Sequence, residues 1–146
     1  MENSLHYKLR ACHTSCQRAI VTQMKDQLGL RPGEPKILEF LAEHEPCEQK
    51  AIAAGCGLDS ASVTGILHRM EERNLVKRES RNGNRRSLYV SMTTHGRDIC
   101  EKAELIFSQV DTAALTGLSD ADVDTLMHLL EHIQTNITTL ESSLLH

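Results

Sequence analysis

Aromatic side chains and long apolar runs are scarce in this chain of 146 residues. It has no tryptophan, and its aromatic residues are Tyr7, Phe40, Tyr89 and Phe107. The core must therefore be built from aliphatic side chains. No apolar run is long enough to cross a membrane, and the amino terminus lacks a charged segment followed by an apolar one. Neither a membrane span nor a signal peptide is predicted, and the expected location is the cytoplasm.

Proline is also rare, at three residues, whereas five cysteines are many for this length. The cysteine count is odd and the spacing fits no known disulfide framework, so all five are expected to be thiols in a reducing compartment. Hydrophobic residues make up 40% of the chain and charged residues 25%. That composition excludes extensive disorder and fits one globular domain with one core.

The net charge of −4 argues against a nucleic-acid partner, but the charges are unevenly distributed. Residues 69–86 hold seven basic and three acidic side chains, whereas residues 98–146 hold nine acids and one lysine. A basic segment on an acidic body indicates a polyanion site at one place on the surface. A solvated charged face is the alternative, and charge alone does not separate the two.

Apolar residues recur every three or four positions in six segments, which predicts six helices. The first covers residues 5–28. The second begins at Pro35 and ends before Pro46, and a short third covers residues 49–54. Gly55 and Gly57 are expected to end the third helix, because glycine favours helix C-termini.

The last three helices carry start signals in the sequence. Asp59 or Ser60 is expected to cap the fourth helix, and Thr93 or Thr94 the fifth. Residues 119–122 read Ser-Asp-Ala-Asp, which is a capping box at the start of the sixth.

A β-hairpin is predicted between the fourth and fifth helices. A strand begins at Leu75 and Val76, Asn82-Gly83 is a strong turn signal, and apolar residues alternate with polar ones in the return strand. The turn at residues 56–59 has helix-turn-helix length. The order of elements predicts a mostly α chain with a small β-hairpin wing. This is a winged helix-turn-helix domain with long amino- and carboxy-terminal helices.

Residues 49–96, QKAIAAGCGLDSASVTGILHRMEERNLVKRESRNGNRRSLYVSMTTHG, resemble the core of the MarR family of transcription regulators, the multiple-antibiotic-resistance regulators. The family's wing typically reads Asp-x-Arg, three residues, then Val-x-Leu-Thr-x-x-Gly. At the same spacing this chain has Asn84-Arg85-Arg86, Val90-Ser91-Met92-Thr93 and Gly96. Asn84 replaces the aspartate, which removes the charge-assisted part of the hydrogen bond that holds the neighbouring arginine. Length and element order extend the resemblance over the whole chain.

The resemblance implies a homodimer that binds a pseudo-palindromic operator in double-stranded DNA, with half-sites ~10 bp apart. It implies that residues 33–92 form the winged DNA-binding part and that residues 1–30 and 93–146 form dimerisation helices. A small-molecule effector of unknown identity is expected to bind between the dimer helices and the winged domain and to release DNA. The chain is expected to act as a repressor, with no cofactor and no membrane partner.

In such a protein the fourth helix enters the major groove and the wing lies over the adjacent minor groove. Val63, Leu67 and Met70 are expected to face inward. The outward residues are the candidates for DNA contact: Ser60, Ser62, Thr64, Gly65, His68 and Arg69. The wing candidates are Arg81, Asn84, Arg85 and Arg86. For Ser60, capping alone is the alternative role.

Cys12 and Cys16 lie one helical turn apart on the first helix, with His13 beside Cys12. One interpretation is packing, since a free cysteine often behaves as a small buried hydrophobe. The other is a thiol sensor at the dimer interface, because some members of the family release DNA when a cysteine is oxidised or binds a metal. A disulfide within one helix is strained at this spacing, which favours bridging to the other subunit or to a metal.

His128-Leu-Leu-Glu131-His132 matches the inverted zinc-protease pattern and is the main sign of an enzyme. Both histidines would lie on one helix face, as zinc requires, but that enzyme class needs a further carboxylate ligand and a substrate cleft. A zinc-dependent hydrolase that uses His128, Glu131 and His132 is therefore the less favoured alternative, and no metal site is expected. The chain is interpreted as a regulator, not an enzyme.

Overall fold

The computed structural model describes residues 1–81 and 83–145, and for residues 84–87 it describes the backbone alone. The elements in chain order are α1 (Leu5–Leu28), α2 (Glu34–His44), β1 (Cys47–Glu48), α3 (Gln49–Cys56), α4 (Ser60–Glu72), β2 (Val76–Arg81), β3 (Asn84–Met92), α5 (Thr94–Ala114) and α6 (Asp120–Leu144). The mostly helical class with a small hairpin is confirmed.

The chain forms two compact units, residues 1–110 and residues 111–146. The second unit holds the end of α5 and all of α6, which begins at the predicted capping box. Ser119 Oγ accepts a hydrogen bond from the Asp122 N–H at 3.1 Å, and Asp122 Oδ2 accepts one from the Ser119 N–H at 3.2 Å. Among the described residues, no helix is both long and apolar enough to span a membrane.

The three strands form an antiparallel sheet in the order β1-β3-β2. Strands β2 and β3 are the predicted hairpin, with Val76 opposite Met92. Strand β1 has two residues and pairs Cys47 with Val90. The sequence-based prediction misses β1, because two residues are too few to show an alternating pattern.

The third helix extends beyond its predicted end. Helix α3 continues through Gly55 to Cys56, and Gly57 is its C-cap. A Cβ atom at position 55 would overlap the ring of Phe40. Gly55 therefore serves the close packing of α3 on α2, and the prediction that it ends the helix is wrong.

The core of the first unit is aliphatic, as the scarcity of aromatic residues predicts. All of the aromatic side chains remain partly exposed. Helix α4 contributes one face to this core, formed by Val63, Ile66, Leu67 and Met70. The opposite face of α4 is thereby left on the surface.

The wing joins α5 through a close backbone contact. Thr93 Oγ1 accepts a hydrogen bond from the Gly96 N–H at 2.9 Å and donates one to Asn74 O at 2.6 Å. A Cβ atom at position 96 would overlap Leu75 O, which immediately precedes β2. Only glycine allows the first turn of α5 to approach the base of the wing so closely.

A buried ion pair connects α1, α2 and α4. Arg73, the C-cap of α4, donates from Nη1 to Glu34 Oε1 at 2.8 Å and to Oε2 at 2.6 Å. Arg73 Nη2 also donates to Gly29 O at 3.0 Å, and the Arg31 N–H donates to Glu34 Oε1 at 2.8 Å. The Glu34 side chain is 1% exposed. These bonds hold the end of α4 against the segment between α1 and α2.

We predict that Arg73→Met lowers the free energy of unfolding by about 3 kcal/mol, because it leaves the buried Glu34 carboxylate without its cation. Denaturant titration followed by circular dichroism would measure the change. The matched control is Lys102→Met, which breaks an exposed pair with Asp98 of 3.2 Å and should cost less than about 1 kcal/mol. Equal losses in both variants would contradict a special role for the buried pair.

Candidate nucleic-acid interface

The turn between α3 and α4 brings the start of α4 to the surface. Ser60, Ser62, Thr64, His68 and Arg69 are exposed and Gly65 is half-buried, while the four apolar residues of α4 named above are buried. The structure thus presents the six predicted residues on one accessible face. Their contacts with DNA stay predictions, since geometry alone does not test them.

Asp59, not Ser60, caps α4. Asp59 Oδ1 accepts a hydrogen bond from the Ser62 N–H at 2.8 Å, and Asp59 Oδ2 accepts one from Ser62 Oγ at 2.7 Å. These bonds hold the pKa of the Asp59 carboxyl below its ordinary value. Capping is therefore excluded as the role of the Ser60 side chain.

The three hydroxyl groups near the start of α4 differ in what they can donate. Ser62 donates to Asp59, and Thr64 Oγ1 donates to Ser60 O at 2.9 Å. The Ser60 hydroxyl has no hydrogen-bond partner among the residues that the structure describes. Ser60 is therefore the hydroxyl best placed to donate to a phosphate at the helix N-terminus.

The second turn of α4 carries the other predicted contacts. A Cβ atom at Gly65 would meet Arg69 Nη1 at 3.4 Å, which is ordinary contact distance, so an alanine fits there in the free protein. His68 Nε2 lies 3.1 Å from Glu72 Oε1. The Arg69 side chain is exposed. His68 and Arg69 thus continue the exposed polar face of α4 beyond its hydroxyl groups.

Of the three arginines predicted to contact DNA from the wing, Arg81 is the one whose side chain the structure describes. The Arg81 guanidinium carbon lies 4.6 Å from the centre of the Tyr89 ring, an arrangement that restrains an otherwise exposed side chain. Residues 84–86 belong to β3, and the backbone of Arg81 pairs with that of Asn84. The side chains of Asn84, Arg85 and Arg86 lie outside the described part of the structure.

Sequence reasoning misses a polar network between α3, α4 and the wing. Arg78 of β2 donates from Nε and Nη2 to the Glu71 carboxylate at 3.3 and 3.1 Å, and from Nη1 to Gln49 Oε1 at 3.1 Å. Gln49 Nε2 donates to Thr64 Oγ1 at 3.4 Å. The hydrogen bonds from the Arg78 guanidinium hold the pKa of the Glu71 carboxyl below its ordinary value. No local pattern reveals this network, because it joins residues far apart in the chain.

The basic segment is therefore less available to a polyanion than its charge suggests. Arg73 is held by the buried Glu34, and the Arg78 side chain is 16% exposed. Lys77 lies 3.5 Å from Glu79. Among the described side chains, Arg69 and Arg81 are the arginines of residues 69–86 that extend to the surface without a carboxylate partner.

The cysteines fall into two groups. Cys12 and Cys16 are exposed on α1, with His13 exposed beside them, so packing within this chain does not account for the pair. Burial raises the pKa of Cys47 and Cys56, and burial together with Glu104 and other carboxylates raises that of Cys100 to about 11. The last three are consequently poor nucleophiles.

The described structure brings no further set of metal-binding side chains to the zinc-protease pattern on α6. His128, Glu131 and His132 are all exposed, and His128 Nε2 lies 3.6 Å from Asp124 Oδ1. Within residues 1–81 and 83–145, no three histidine, cysteine or carboxylate side chains are grouped so that they could hold a metal ion.

A cavity of about 110 Å³ opens between α1, α2 and α5. Its walls combine apolar and charged groups, among them Gln17, Ile20, Pro35, Lys36, Glu39 and Phe107. A ligand there would touch both the amino-terminal helix and the first helix of the winged part.

Comparison with known proteins agrees with this geometry. Residues 30–88 match the model of the MarR family. The organic hydroperoxide resistance transcriptional regulator of Bacillus subtilis (strain 168) is 30% identical over 143 residues, which cover 96% of this chain and 91% of the relative.

Two solved structures share the fold. The Staphylococcus aureus MepR–DNA complex superposes with a TM-score of 0.81 and 18% identity, covering 91% of this chain and 98% of that one. CouR from Rhodococcus jostii RHA1, bound to p-coumaroyl-CoA, gives a TM-score of 0.78 and 23% identity, covering 90% and 92% of the two chains.

We predict that Asp59→Ala lowers the midpoint of thermal unfolding by about 2–5 °C, because it removes the cap of α4. Ser60→Ala should leave the midpoint unchanged. Because the folded-state pKa of Asp59 is lowered, the cap stabilises the protein above the ordinary pKa, and that gain disappears as the pH falls through the lowered value. The gap between wild type and Asp59→Ala should therefore close in acid. A loss of stability in Ser60→Ala instead would contradict the assignment.

Proposed function

Since the chain belongs to the MarR family of transcription regulators, we propose that it binds a specific double-stranded DNA operator as a homodimer and represses transcription until an effector releases it. Family membership confirms the resemblance on residues 49–96. It also confirms the interpretation as a regulator rather than an enzyme, so the zinc-hydrolase alternative is dropped. A regulator of transcription must reach chromosomal DNA, which is why we place it in the cytoplasm.

The observation that carries the proposal is the exposed polar face of α4. It begins with the free Ser60 hydroxyl at the helix N-terminus and ends with the outward Arg69. The major groove of B-DNA admits one helix, and arginine is the side chain that most often recognises guanine there. Residues 33–92 would thus form the DNA-binding part.

The wing supplies the second contact in this proposal. The hairpin starts directly after α4, so it reaches the DNA beside the groove that α4 enters. Arg81, Arg85 and Arg86 are assigned to the minor groove and its phosphates, where the negative potential favours arginine. Asn84 would hold the neighbouring arginine in place by accepting a hydrogen bond from it. Neutralised phosphates release counterions, so affinity should fall steeply with salt.

The homodimer is proposed from α6. Its exposed apolar side chains include five that are three, four or seven residues apart, a spacing that places them on one helix face: Leu126, Leu130, Ile137, Leu140 and Leu144. A stripe of this length on the surface marks a protein–protein contact. Residues 1–30 and 93–146 would form the dimer, and two α4 helices would then reach half-sites ~10 bp apart.

The effector is assigned to the cavity between α1, α2 and α5. Lys36 would pair with an acidic group and Phe107 would contact an apolar one. The cavity is smaller than the ~300–1,000 Å³ of common ligand pockets. We therefore propose a small organic acid. CouR, which shares the fold, is bound to p-coumaroyl-CoA, a larger thioester.

A second route of release is proposed through Cys12 and Cys16. One relative is named an organic hydroperoxide resistance regulator, and both thiols are exposed here. Oxidation would join two thiols, one from each subunit, into a disulfide while a hydroperoxide is reduced to an alcohol and water. A thiophilic metal ion held by the same thiols, with His13 beside them, is the other chemistry open to the pair.

The test of the function is selection of the preferred duplex from random DNA, followed by affinity measurement with wild type and variants. Arg86→Ala should weaken binding at least tenfold, because a lost minor-groove contact costs ~1–3 kcal/mol. Sedimentation should show an unchanged dimer. Lys102→Ala, on the exposed side of α5, is the matched control and should bind like wild type. Unchanged affinity of Arg86→Ala at moderate salt would refute the wing assignment.

The cysteine route predicts that peroxide or copper weakens the gel shift of wild type but not of the Cys12→Ser, Cys16→Ser double variant. Cys56→Ser is the control, since that thiol is half-buried with a raised pKa, and it should respond like wild type. If the double variant and wild type respond alike, or neither responds, the pair is not the sensor.

A further inference from the structure

Thr64 lies in the middle of the exposed face of α4, but its hydroxyl is already engaged. Its hydrogen is donated to Ser60 O at 2.9 Å, within the same helix. Its oxygen accepts a hydrogen bond from Gln49 Nε2 at 3.4 Å. A hydroxyl has one hydrogen to donate, so Thr64 cannot also donate to a phosphate or to an acceptor on a base edge.

The Gln49 side chain is itself held in this orientation. Its Oε1 accepts from Arg78 Nη1, and Arg78 is anchored by two bonds to the Glu71 carboxylate. Because Arg78 can only donate, the oxygen of the carboxamide must point to Arg78 and the nitrogen to Thr64. The network therefore fixes the Thr64 hydroxyl from the side of α3 and the wing strand.

With its hydroxyl held, Thr64 has a methyl group to offer to a ligand. Beside it a cavity of about 220 Å³ opens between the starts of α3 and α4, lined by Gln49, Lys50, Ser60, Val63 and Thr64. Val63 provides an apolar wall. In the major groove, thymine is the base that presents a methyl group, and a threonine methyl is a suitable partner for it.

We propose that Thr64 is a specificity-determining residue that recognises the 5-methyl group of one thymine in each operator half-site by apolar contact. The inference rests on the proposed function, because it requires α4 to enter the major groove. It adds which base Thr64 selects and which part of its side chain makes the selection.

The experiment replaces each thymine of the selected operator, one at a time, by deoxyuridine, which lacks only the 5-methyl group. Wild type should bind about fourfold more weakly at one position per half-site, as expected for one methyl group returned to water. Thr64→Val keeps a methyl and removes the hydroxyl, so it should retain this sensitivity. Thr64→Ser keeps the hydroxyl and removes the methyl, so it should bind thymine and uracil duplexes equally.

The variants form a matched pair at one exposed site, and thermal unfolding would show that both fold. Wild type that selects an operator but is insensitive to every deoxyuridine overturns the inference alone. Sensitivity that persists in Thr64→Ser, or disappears in Thr64→Val, overturns it as well, because the Thr64 methyl would then not be the group that contacts thymine. Wild type that selects no operator overturns the proposed function and this inference together.

Discussion

The position of α4 depends on the hydrogen bonds between Arg73 and Glu34. A buried ion pair adds little net free energy compared with an apolar pair of the same volume, but the hydrogen bonds from Arg73 Nη1 to the two carboxylate oxygens of Glu34 are directional. Here they link the C-cap of α4 to the first turn of α2 and, through Gly29 O, to the end of α1. Any movement of α1 against α2 must therefore be accommodated at the end of α4.

The arginines of residues 69–86 serve two purposes that charge counting does not separate. Arg73 and Arg78 are turned inward by carboxylates from other elements, where they hold α4 and β2 in place. Arg69 and Arg81 stay outside. The same residue type thus joins elements inside the protein and carries positive charge on its surface. The positive charge that residues 69–86 expose is therefore smaller than their count of basic side chains suggests.

Local regularities account for what was predictable. The 3.6-residue spacing of apolar residues predicted the six helices, and the turn signal at Asn82-Gly83 predicted the hairpin. Both patterns involve only residues that are close together in the sequence. Strand β1 was missed because its pairing with β3 spans more than forty residues. Gly55 was misassigned because its reason is the Phe40 ring on another helix. The hydrogen bond between Gln49 and Thr64 could not be predicted either, because it joins two helices and the sequence around Thr64 does not indicate which residue of α3 lies beside it.

Because Gly96 packs directly against Leu75 O, α5 and the base of the wing should move together, and the wing extends far from this contact. No side chain separates α5 from the base of β2 there, so a tilt of α5 is passed to the ribbon without being absorbed by soft packing. β3 contains nine residues and therefore extends ~30 Å from this joint. A tilt of about 5° would displace its far end by roughly 3 Å, which is the length of a hydrogen bond. A small rotation of α5 is thus amplified at the tip of the wing.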